Sequence, residues 1–354
     1  MDTIIQQLAQ TLREASVNNT PLRIVGGDTK AFYGNPATSE TLSTRAYSGI
    51  VEYEPTELVI TARAGTPLTG IEAAMKDKGQ MLAFEPPHFG AGSTLGGCIA
   101  AGLSGPRRPY AGAVRDLVLG ARLLDGTGAD LRFGGQVMKN VAGYDVSRLM
   151  AGAMGTLGVI LEVSLKTLPL PATELTLRQQ HSEADAIRLM NTWAGQPLPI
   201  SATAWCGGEL GIRLSGAASA VDAARKKLGG DVMASTQAEK FWHGIRDHAD
   251  PFFATDKTLW RLSVKSTAPA ITLPATQLLE WSGALRWLRT NASANDVRAA
   301  AEIAGGHATL FRGGTCADGV FHPLSPALVT IHRKLKQTFD PAGILNPGRL
   351  YPGM

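Results

Sequence analysis

The sequence has few cysteines and lacks the spacing that binds metal clusters. Its three cysteines, Cys98, Cys206 and Cys316, lie far apart, and no CxxC motif occurs. Iron–sulfur clusters and structural zinc sites use closely spaced thiolates, so neither is expected within this chain. Scattered thiols also fit a reducing compartment. We therefore predict no metal site.

Targeting and membrane-spanning segments are missing as well. The N-terminus has no cationic start followed by an apolar core, the pattern of a secretory signal. No stretch approaches the roughly 18 consecutive apolar residues of a membrane-spanning helix. We expect a cytoplasmic protein that reaches a membrane only through a partner, as a peripheral protein on the inner face of the cytoplasmic membrane.

Charge is not concentrated anywhere in the chain. Lys and Arg number 34 against 30 Asp and Glu, which gives a formal net charge of +4, and no run of five or six basic residues occurs. Nucleic-acid binding usually needs a concentrated basic face, so no nucleic-acid partner is expected. The 44% hydrophobic content can bury a substantial core. A length of 354 residues suggests two domains.

Several familiar catalytic and nucleotide-binding motifs are also absent. The sequence contains no GxxxxGK[ST], no HExxH, no GxSxG and no GxGxxG after a strand. These absences disfavour a P-loop, a zinc-dependent protease site, a nucleophile elbow and a Rossmann dinucleotide site.

Glycine, in contrast, is abundant: 40 of 354 residues, about 11% against a usual level of roughly 7%. Three glycine-rich turns occupy residues 26–30, 90–97 and 152–158. Small residues leave backbone N–H groups uncovered and able to face phosphate oxygens. Each turn alone could be an ordinary tight turn, but three in the N-terminal half favour a long dinucleotide cofactor with organic chemistry.

The hydrophobic pattern predicts alternating strands and helices, with a domain boundary at Pro169-Leu170-Pro171. Strands are predicted at 22–25, 58–61, 117–124, 129–133, 157–168, 201–206, 209–214 and 260–264. Helices are predicted at the N-terminus, where Ile4, Ile5, Leu8 and Leu12 have helical spacing, from Thr66-Pro67 to Gly79, and at 182–193, 217–228, 294–304 and 325–339.

Some polar residues admit two interpretations. His88 could be a catalytic base, although a structural hydrogen bond is the favoured interpretation. His307 could reach a substrate, or it could belong to the core or a hinge. Arg107 and Arg108 could clamp a carboxylate or phosphate, or lie at a partner interface. No catalytic residue is assigned.

Five stretches together resemble a known family. They are YEPTELVITAR (53–63), GPRRP (105–109), FGGQVMKNVAGYD (133–145), GTLGVI (155–160) and DPAGILNPGR (340–349). Over essentially its whole length the chain resembles the PCMH-type, vanillyl-alcohol-oxidase-like FAD-binding proteins. Within them it is most similar to the FAD-binding E subunits of bacterial glycolate oxidases.

The resemblance implies an α+β fold in three parts. Residues 1–171 would form a PCMH-type FAD-binding domain of two α/β subdomains. Residues 172–322 would form an α+β cap domain on the substrate side, over the isoalloxazine ring. Residues 323–354 would form a C-terminal helix and a tail that returns to the first domain.

The resemblance also implies FAD as the cofactor. The 26–30 and 92–97 turns would hold its pyrophosphate, and the 155–160 segment would lie along its ribityl and adenosine parts. The expected cofactor-binding residues are Gly26, Gly27, Asp28, Thr29, Lys30, Gly92, Ser93, Thr94, Gly96, Gly97, Lys139, Asn140, Tyr144, Gly155, Thr156, Gly158, Val159, Ile160 and Asn346.

The sequence departs from the family pattern at four places, one of which is Arg349, where the family tail usually has Lys. Thr29 stands where members with a histidyl-linked flavin carry His, so non-covalent FAD is expected. Asp28 stands where Gly is usual, and its carboxylate would repel a pyrophosphate unless it points away or accepts backbone N–H groups. The HxGDGNxH stretch of related catalytic subunits is absent, and its nearest match is GHATL at 306–310.

The favoured function is the FAD-binding subunit of a glycolate oxidase complex. In such a complex an FAD-linked catalytic subunit oxidises glycolate to glyoxylate, and electrons pass to an iron–sulfur subunit. A self-sufficient FAD-dependent dehydrogenase of a small 2-hydroxy acid is the first alternative, which the missing HxGDGNxH disfavours. A structural assembly subunit with a decayed flavin site is the second, which the retained glycine turns disfavour.

Overall fold

The computed structural model describes residues 2–135, 145–315 and 317–354. The chain divides into two compact units. The first comprises Met1–Leu103, Ala113–Pro169 and Pro323–Met354, and the second comprises Ser104–Gly112 and Leu170–His322. The main boundary lies two residues before the predicted one, and the C-terminal segment belongs to the first unit.

The first unit contains short strands and helices in alternation. Its helices are α1 (Asp2–Asn18), α2 (Leu68–Lys76), α3 (Leu95–Ala101), α5 (Val114–Leu117), α6 (Val146–Leu149) and α11 (Pro326–Phe339). Helix α4 (Arg108–Ala111) belongs to the second unit. Its strands are β1 (Leu22–Val25), β2 (Glu40–Ser43), β3 (Ile50–Glu54), β4 (Val59–Arg63), β5 (Gln80–Met81), β6 (Val118–Leu124), β7 (Asp130–Gly134), β8 (Val159–Lys166) and β9 (Leu168–Pro169).

A five-stranded antiparallel sheet forms the centre of this unit, in the order β3-β4-β8-β6-β7. Strands β1 and β2 pair in parallel beside it, and β5 pairs with β9. Burying a Leu side chain such as Leu12 of α1, which is fully buried, stabilises a fold by about 1.5–3 kcal/mol. Ile344 and Leu345 from the C-terminal tail belong to the same core cluster as Leu12.

The central strand β8 differs from its predicted pattern. Alternation predicts that Ser164 faces solvent, but Ser164 is buried and its hydroxyl lies 2.8 Å from that of Thr61 on β4. Ile160 is buried too. Both faces of this strand are therefore covered, which a strand in the middle of a sheet permits.

The second unit contains the remaining elements. Its helices besides α4 are α7 (Glu183–Ala194), α8 (Ala218–Leu228), α9 (Ser235–Asp247) and α10 (Ala294–Ile303). Its strands are β10 (Thr173–Gln180), β11 (Ile200–Cys206), β12 (Glu209–Gly216), β13 (Asp231–Val232), β14 (Thr258–Ser263), β15 (Thr276–Glu280), β16 (Leu285–Thr290) and β17 (His307–Arg312).

These strands form one eight-stranded antiparallel sheet, in the order β13-β10-β12-β11-β15-β16-β14-β17. The helices predicted at 182–193, 217–228, 294–304 and 325–339 are confirmed to within a residue at each end as α7, α8, α10 and α11. Helix α7 begins as predicted, because the Ser182 hydroxyl accepts a hydrogen bond from the Asp185 backbone N–H. The prediction missed β10, α9 and the strands β15 to β17.

Residues 104–112 correct the predicted division of the chain, because they belong to the second unit. Arg107 is buried and pairs with Glu174 at 2.6 Å. The Trp281 indole N–H donates to the Gly105 carbonyl at 3.0 Å, and the Arg108 guanidinium stacks 4.4 Å from the Trp281 ring centroid. Arg107 therefore holds its own unit together and is neither an exposed clamp nor an interface arginine.

Arg286 is the largest fully buried side chain of the second unit and supports a stability prediction. It donates to the carbonyls of Gly283, Pro269 and Ala268. Arg286→Met would remove all three donors, and two of the acceptors, the Gly283 and Ala268 carbonyls, belong to buried residues, where each lost partner costs about 1–3 kcal/mol. We expect a loss of at least about 2 kcal/mol in the free energy of unfolding. Urea titration followed by tryptophan fluorescence measures it.

The exposed Arg188 on α7 provides the matched control for this variant. Its side chain is 64% exposed and pairs only at the surface with Asp185. Arg188→Met should change stability by less than about 0.5 kcal/mol, as surface substitutions usually do. Equal effects at the two positions would contradict the structural role given to Arg286.

Candidate flavin site

Two adjoining clefts lie in the first unit, where the glycine turns meet. They enclose about 580 and 360 Å³, open solvent at their mouths included. Both share walls from β1, α3 and the turn at Met154.

The first wall is the turn that follows β1. A Cβ atom on Gly26 would lie 2.2 Å from the Thr94 hydroxyl oxygen, and one on Gly27 would lie 1.6 Å from the Gly92 carbonyl oxygen. Both positions therefore require glycine. The Gly27 N–H also donates to the Thr94 hydroxyl at 3.3 Å. Glycine thus lets two backbone segments approach closely and form one continuous cleft wall.

The structure shows how the Asp28 carboxylate can stand beside a site for a pyrophosphate. Its backbone has φ = 58°, in the left-handed region that Gly favours and Asp tolerates. Its carboxylate pairs with Arg23 at 2.5 Å, and its side chain is 47% exposed. The negative charge next to the cleft is therefore offset by a guanidinium that also lines the cleft.

Thr29 and Lys30 attach the same turn to the loop before α3. The Thr29 hydroxyl donates to the His88 carbonyl at 2.9 Å. The Lys30 ammonium donates to the Ser93 hydroxyl at 2.8 Å and to the His88 carbonyl at 3.3 Å. The His88 ring lies 3.1 Å from a Glu72 carboxylate oxygen, which is the structural bond favoured from the sequence. Lys30 thus brings a positive charge to the cleft.

Helix α3 provides the second wall. Thr94 caps it, because its hydroxyl accepts a hydrogen bond from the Gly97 N–H at 3.4 Å. A Cβ on Gly96 would lie 2.7 Å from the Ala64 Cβ atom, so this glycine lets the helix pack against the segment after β4. A Cβ on Gly97 would meet only the Thr94 hydroxyl, at 3.4 Å. Gly97 lines both clefts, so a side chain there would occupy cleft space.

The third wall of the clefts is the turn at Met154 and Gly155, and Asn346 joins it to the first wall. Its side-chain oxygen accepts from the Ile24 N–H at 2.8 Å, and its amide nitrogen donates to the Met154 carbonyl at 2.6 Å. Met154 has φ = 53° and Gly155 has φ = 71°. A Cβ on Gly155 would lie 2.7 Å from the Asn346 amide nitrogen. This asparagine therefore lines the cleft and also holds two of its walls in register.

Arg349 was not predicted as a site residue, yet it lines the larger cleft. Its guanidinium donates to the carbonyls of Asn35 at 2.6 Å, Ala31 at 2.8 Å and Tyr33 at 2.5 Å. Burial lowers the pKa of Arg349, and the nearby charge of Arg23 lowers it further. The C-terminal tail thus fixes the loop after the first turn.

The structure brings most of the predicted residues together. Those lining one or both clefts are Gly26, Gly27, Asp28, Thr29, Lys30, Ser93, Thr94, Gly96, Gly97, Gly155, Gly158, Ile160 and Asn346. Gly92, Thr156 and Val159 stand next to lining residues but do not line either cleft. Lys139, Asn140 and Tyr144 lie outside the described residues. All these cofactor contacts stay predictions.

Other lining residues were missed by the sequence. They include Ile24, Val25, Ala31, Ala37, Thr44, Ala100, Ala101 and Met154, besides the two arginines at 23 and 349. Most flank the glycine turns, and proximity to those turns is the only signal that could have found them. The arginine at 349 is far away in sequence and carries no such signal.

The residues present fit an FAD molecule. Gly97 leaves open space in the cleft that even a Cβ would begin to fill, and Lys30 and Arg23 supply positive charge near the first turn. A pyrophosphate needs backbone N–H groups and positive charge, while uncharged rings need apolar and backbone surface. The smaller cleft offers apolar surface through Ile24 and Ile160.

Comparison with known proteins identifies the family. Residues 3–134 match the model of an FAD binding domain, and residues 317–350 match the C-terminal domain of FAD linked oxidases. The glycolate oxidase subunit GlcE of Escherichia coli (strain K12) is 51% identical over 98% of this chain and 97% of that protein. The chain belongs to the GlcE family of FAD-linked oxidases. The predicted family, FAD-binding domain and oxidoreductase class are confirmed.

More distant relatives match only about half of this GlcE-family chain. The glycolate oxidase subunit GlcD of Bacillus subtilis (strain 168) is 30% identical over 51% of the chain and 38% of that protein. A D-lactate dehydrogenase of Archaeoglobus fulgidus is 31% identical over 46% of the chain and 37% of that protein.

A solved structure of alkyldihydroxyacetonephosphate synthase has the same fold, with a TM-score of 0.66 and 16% identity. The match covers 98% of this chain and 76% of that one. The α+β FAD-oxidase fold is thereby confirmed.

Across residues 2–135, 145–315 and 317–354, no group of three His, Cys, Asp or Glu side chains is arranged to hold a metal ion. In the same ranges no helix has both the length and the apolar character needed to cross a lipid bilayer.

Proposed function

We propose that this chain is the FAD-binding subunit of a glycolate oxidase complex. Substrate oxidation takes place mainly on an FAD-linked catalytic subunit, and an iron–sulfur subunit accepts the electrons. The observation that carries the proposal is the cleft itself: three glycine turns far apart in sequence converge on it, in a chain of the GlcE family. A decayed site would have no reason to retain Gly97, whose missing side chain leaves cleft space open.

Three groups of residues are proposed to hold FAD. The 26–30 turn and the Ser93–Gly97 segment hold the pyrophosphate, with Lys30 as the adjacent cation. The Gly155–Ile160 segment holds uncharged parts of the cofactor. Lys139, Asn140 and Tyr144 are proposed to lie near the flavin ring. FAD bound here would supply redox chemistry, with which this chain would relay electrons or stabilise the assembly.

The proposed complex also implies where the chain is located in the cell and which ligand it meets. We infer that it is cytoplasmic and that it reaches the inner face of the cytoplasmic membrane only through its partner subunits. A small 2-hydroxy acid is a candidate ligand of the assembled complex. No nucleic-acid partner is proposed.

Purification of the chain tests whether it holds FAD and how. We expect a yellow protein that releases its flavin into the supernatant on acid precipitation, because Thr29 has no imidazole to form a covalent link. Absorbance of supernatant and pellet measures the partition. Flavin retained on the pellet would contradict the non-covalent assignment, and a colourless chain that cannot be loaded with FAD would contradict the proposed function.

A further inference from the structure

A buried ammonium lies behind the two clefts and lines neither. Lys336 on α11 is only 9% exposed. Its ammonium donates to an Asp340 carboxylate oxygen at 2.6 Å, to the Leu345 carbonyl at 2.6 Å and to the Thr156 carbonyl at 3.0 Å. An ammonium has three N–H donors, so all three are used within this unit.

Asp340 completes a closed network. Its two carboxylate oxygens accept from the backbone N–H groups of Ile344 at 3.1 Å and Leu345 at 2.7 Å, and its side chain is fully buried. A Cβ on Gly126 would lie 2.5 Å from this carboxylate, so the surrounding chain packs closely around it. Buried charges are expensive unless they are paired and fully hydrogen-bonded, and this pair meets both conditions.

The network ties together two segments that line the clefts. Leu345 precedes Asn346, which bridges β1 to the Met154 turn. Thr156 follows Gly155, which lines the smaller cleft. The Lys336 ammonium therefore fixes the spacing between the C-terminal tail and the third glycine turn. Burial lowers the pKa of Lys336, whereas the Asp340 carboxylate opposes that shift.

We propose that Lys336, held by Asp340, is a positioning residue for the FAD cradle: it sets the position of Thr156 and Leu345, and through them of Gly155 and Asn346. The inference rests on the proposed FAD site. Lys336 touches no cleft, so its effect on the cofactor is indirect. The rigid tail gives FAD a preorganised wall, and without it the cofactor would have to order that wall on binding.

FAD titration of three variants tests the inference. Lys336→Met should raise the FAD dissociation constant about tenfold or more, because FAD would then have to order the loosened wall as it binds. Lys336→Arg keeps the charge and the donors and should recover part of the affinity. Lys334→Met removes an exposed lysine from the same helix and should leave the affinity unchanged. The absorption spectrum of bound flavin at saturation should differ from wild type only in Lys336→Met.

A double variant separates positioning from mere stability. Lys336→Met with Asp340→Asn removes both buried charges, and such neutral replacements are often tolerated in folding. We expect it to unfold at a temperature close to wild type and still to bind FAD weakly. Recovery of wild-type affinity and spectrum in the double variant would overturn the proposal, as would unchanged binding in Lys336→Met. A wild-type chain that binds no FAD would instead refute the proposed function.

Discussion

Gly97→Val is expected to weaken FAD binding strongly without destabilising the protein. Gly97 is the third residue of α3 and has an ordinary helical backbone, so a side chain there carries no backbone strain. Valine is a slightly better helix former than glycine. Its methyl groups would occupy the space shared by both clefts. Overpacking of a close contact costs about 1–3 kcal/mol, so the dissociation constant should rise roughly ten- to a hundredfold.

Two other glycines provide variants with which Gly97→Val can be compared. Gly70 is also the third residue of its helix, α2, and a Cβ there would meet nothing within 4 Å. Gly70→Val is therefore the matched control and should bind FAD like wild type. Gly96→Val should behave in a third way, because its side chain would collide with Ala64. That variant should lose stability even without FAD.

The unfolding temperature, recorded with and without FAD, tests the predictions for all three variants. FAD at 100 times its dissociation constant stabilises wild type by about 2.7 kcal/mol. Gly97→Val should keep the unfolding temperature of the FAD-free protein and lose most of the increase caused by FAD. Full stabilisation of Gly97→Val by FAD would show that the cofactor lies elsewhere.

The sequence predicts the turns of this site better than it predicts their partners. Glycine next to an apolar strand is a local signal, and the turns at 26–30 and 155–158 indeed line the clefts. Gly92 does not line either cleft, although a Cβ on Gly27 would lie 1.6 Å from its carbonyl oxygen, and its predicted contact with FAD stays a prediction. Sequence shows where backbone is uncovered, but not which side of it faces the ligand.

Long-range contacts explain most of what the sequence could not supply. Arg349 reaches carbonyls more than 300 positions earlier in the chain, and no local pattern encodes such a contact. The charge of Asp28 posed a conflict in the sequence that only the position of Arg23 settles. The segment 104–112 joins the second unit through Arg107 and Glu174, which are 67 positions apart. Core packing, rather than local propensity, decides each of these cases.

Glycolate alone is not expected to reduce the FAD-loaded chain within seconds. Oxidation of a 2-hydroxy acid needs a group that holds the carboxylate and a base that accepts the hydroxyl proton, both preorganised. The sequence has no HxGDGNxH stretch, and its nearest match to one is GHATL at 306–310. His307 is the single histidine of that segment. Burial lowers its pKa, and the charges of Arg261 and His322 lower it further.

A neutral His307 could act as a base, so the prediction concerns the set of groups and not this residue alone. The histidine stands at the start of β17, and its ring lies 6.4 Å from that of His322. His322 in turn pairs with Glu302 at 3.2 Å. The segment therefore offers one candidate proton acceptor in place of the several groups of an HxGDGNxH stretch.

Anaerobic mixing separates the proposed division of labour from a self-sufficient enzyme. The FAD-loaded chain is mixed with excess glycolate, and flavin absorbance is followed over time. We expect the absorbance to persist in the isolated chain and to fall once the catalytic and iron–sulfur subunits are added. His307→Gln should then leave the rate of the assembled complex nearly unchanged. Rapid loss of absorbance in the isolated chain, abolished by His307→Gln, would instead make this subunit an oxidant of glycolate in its own right.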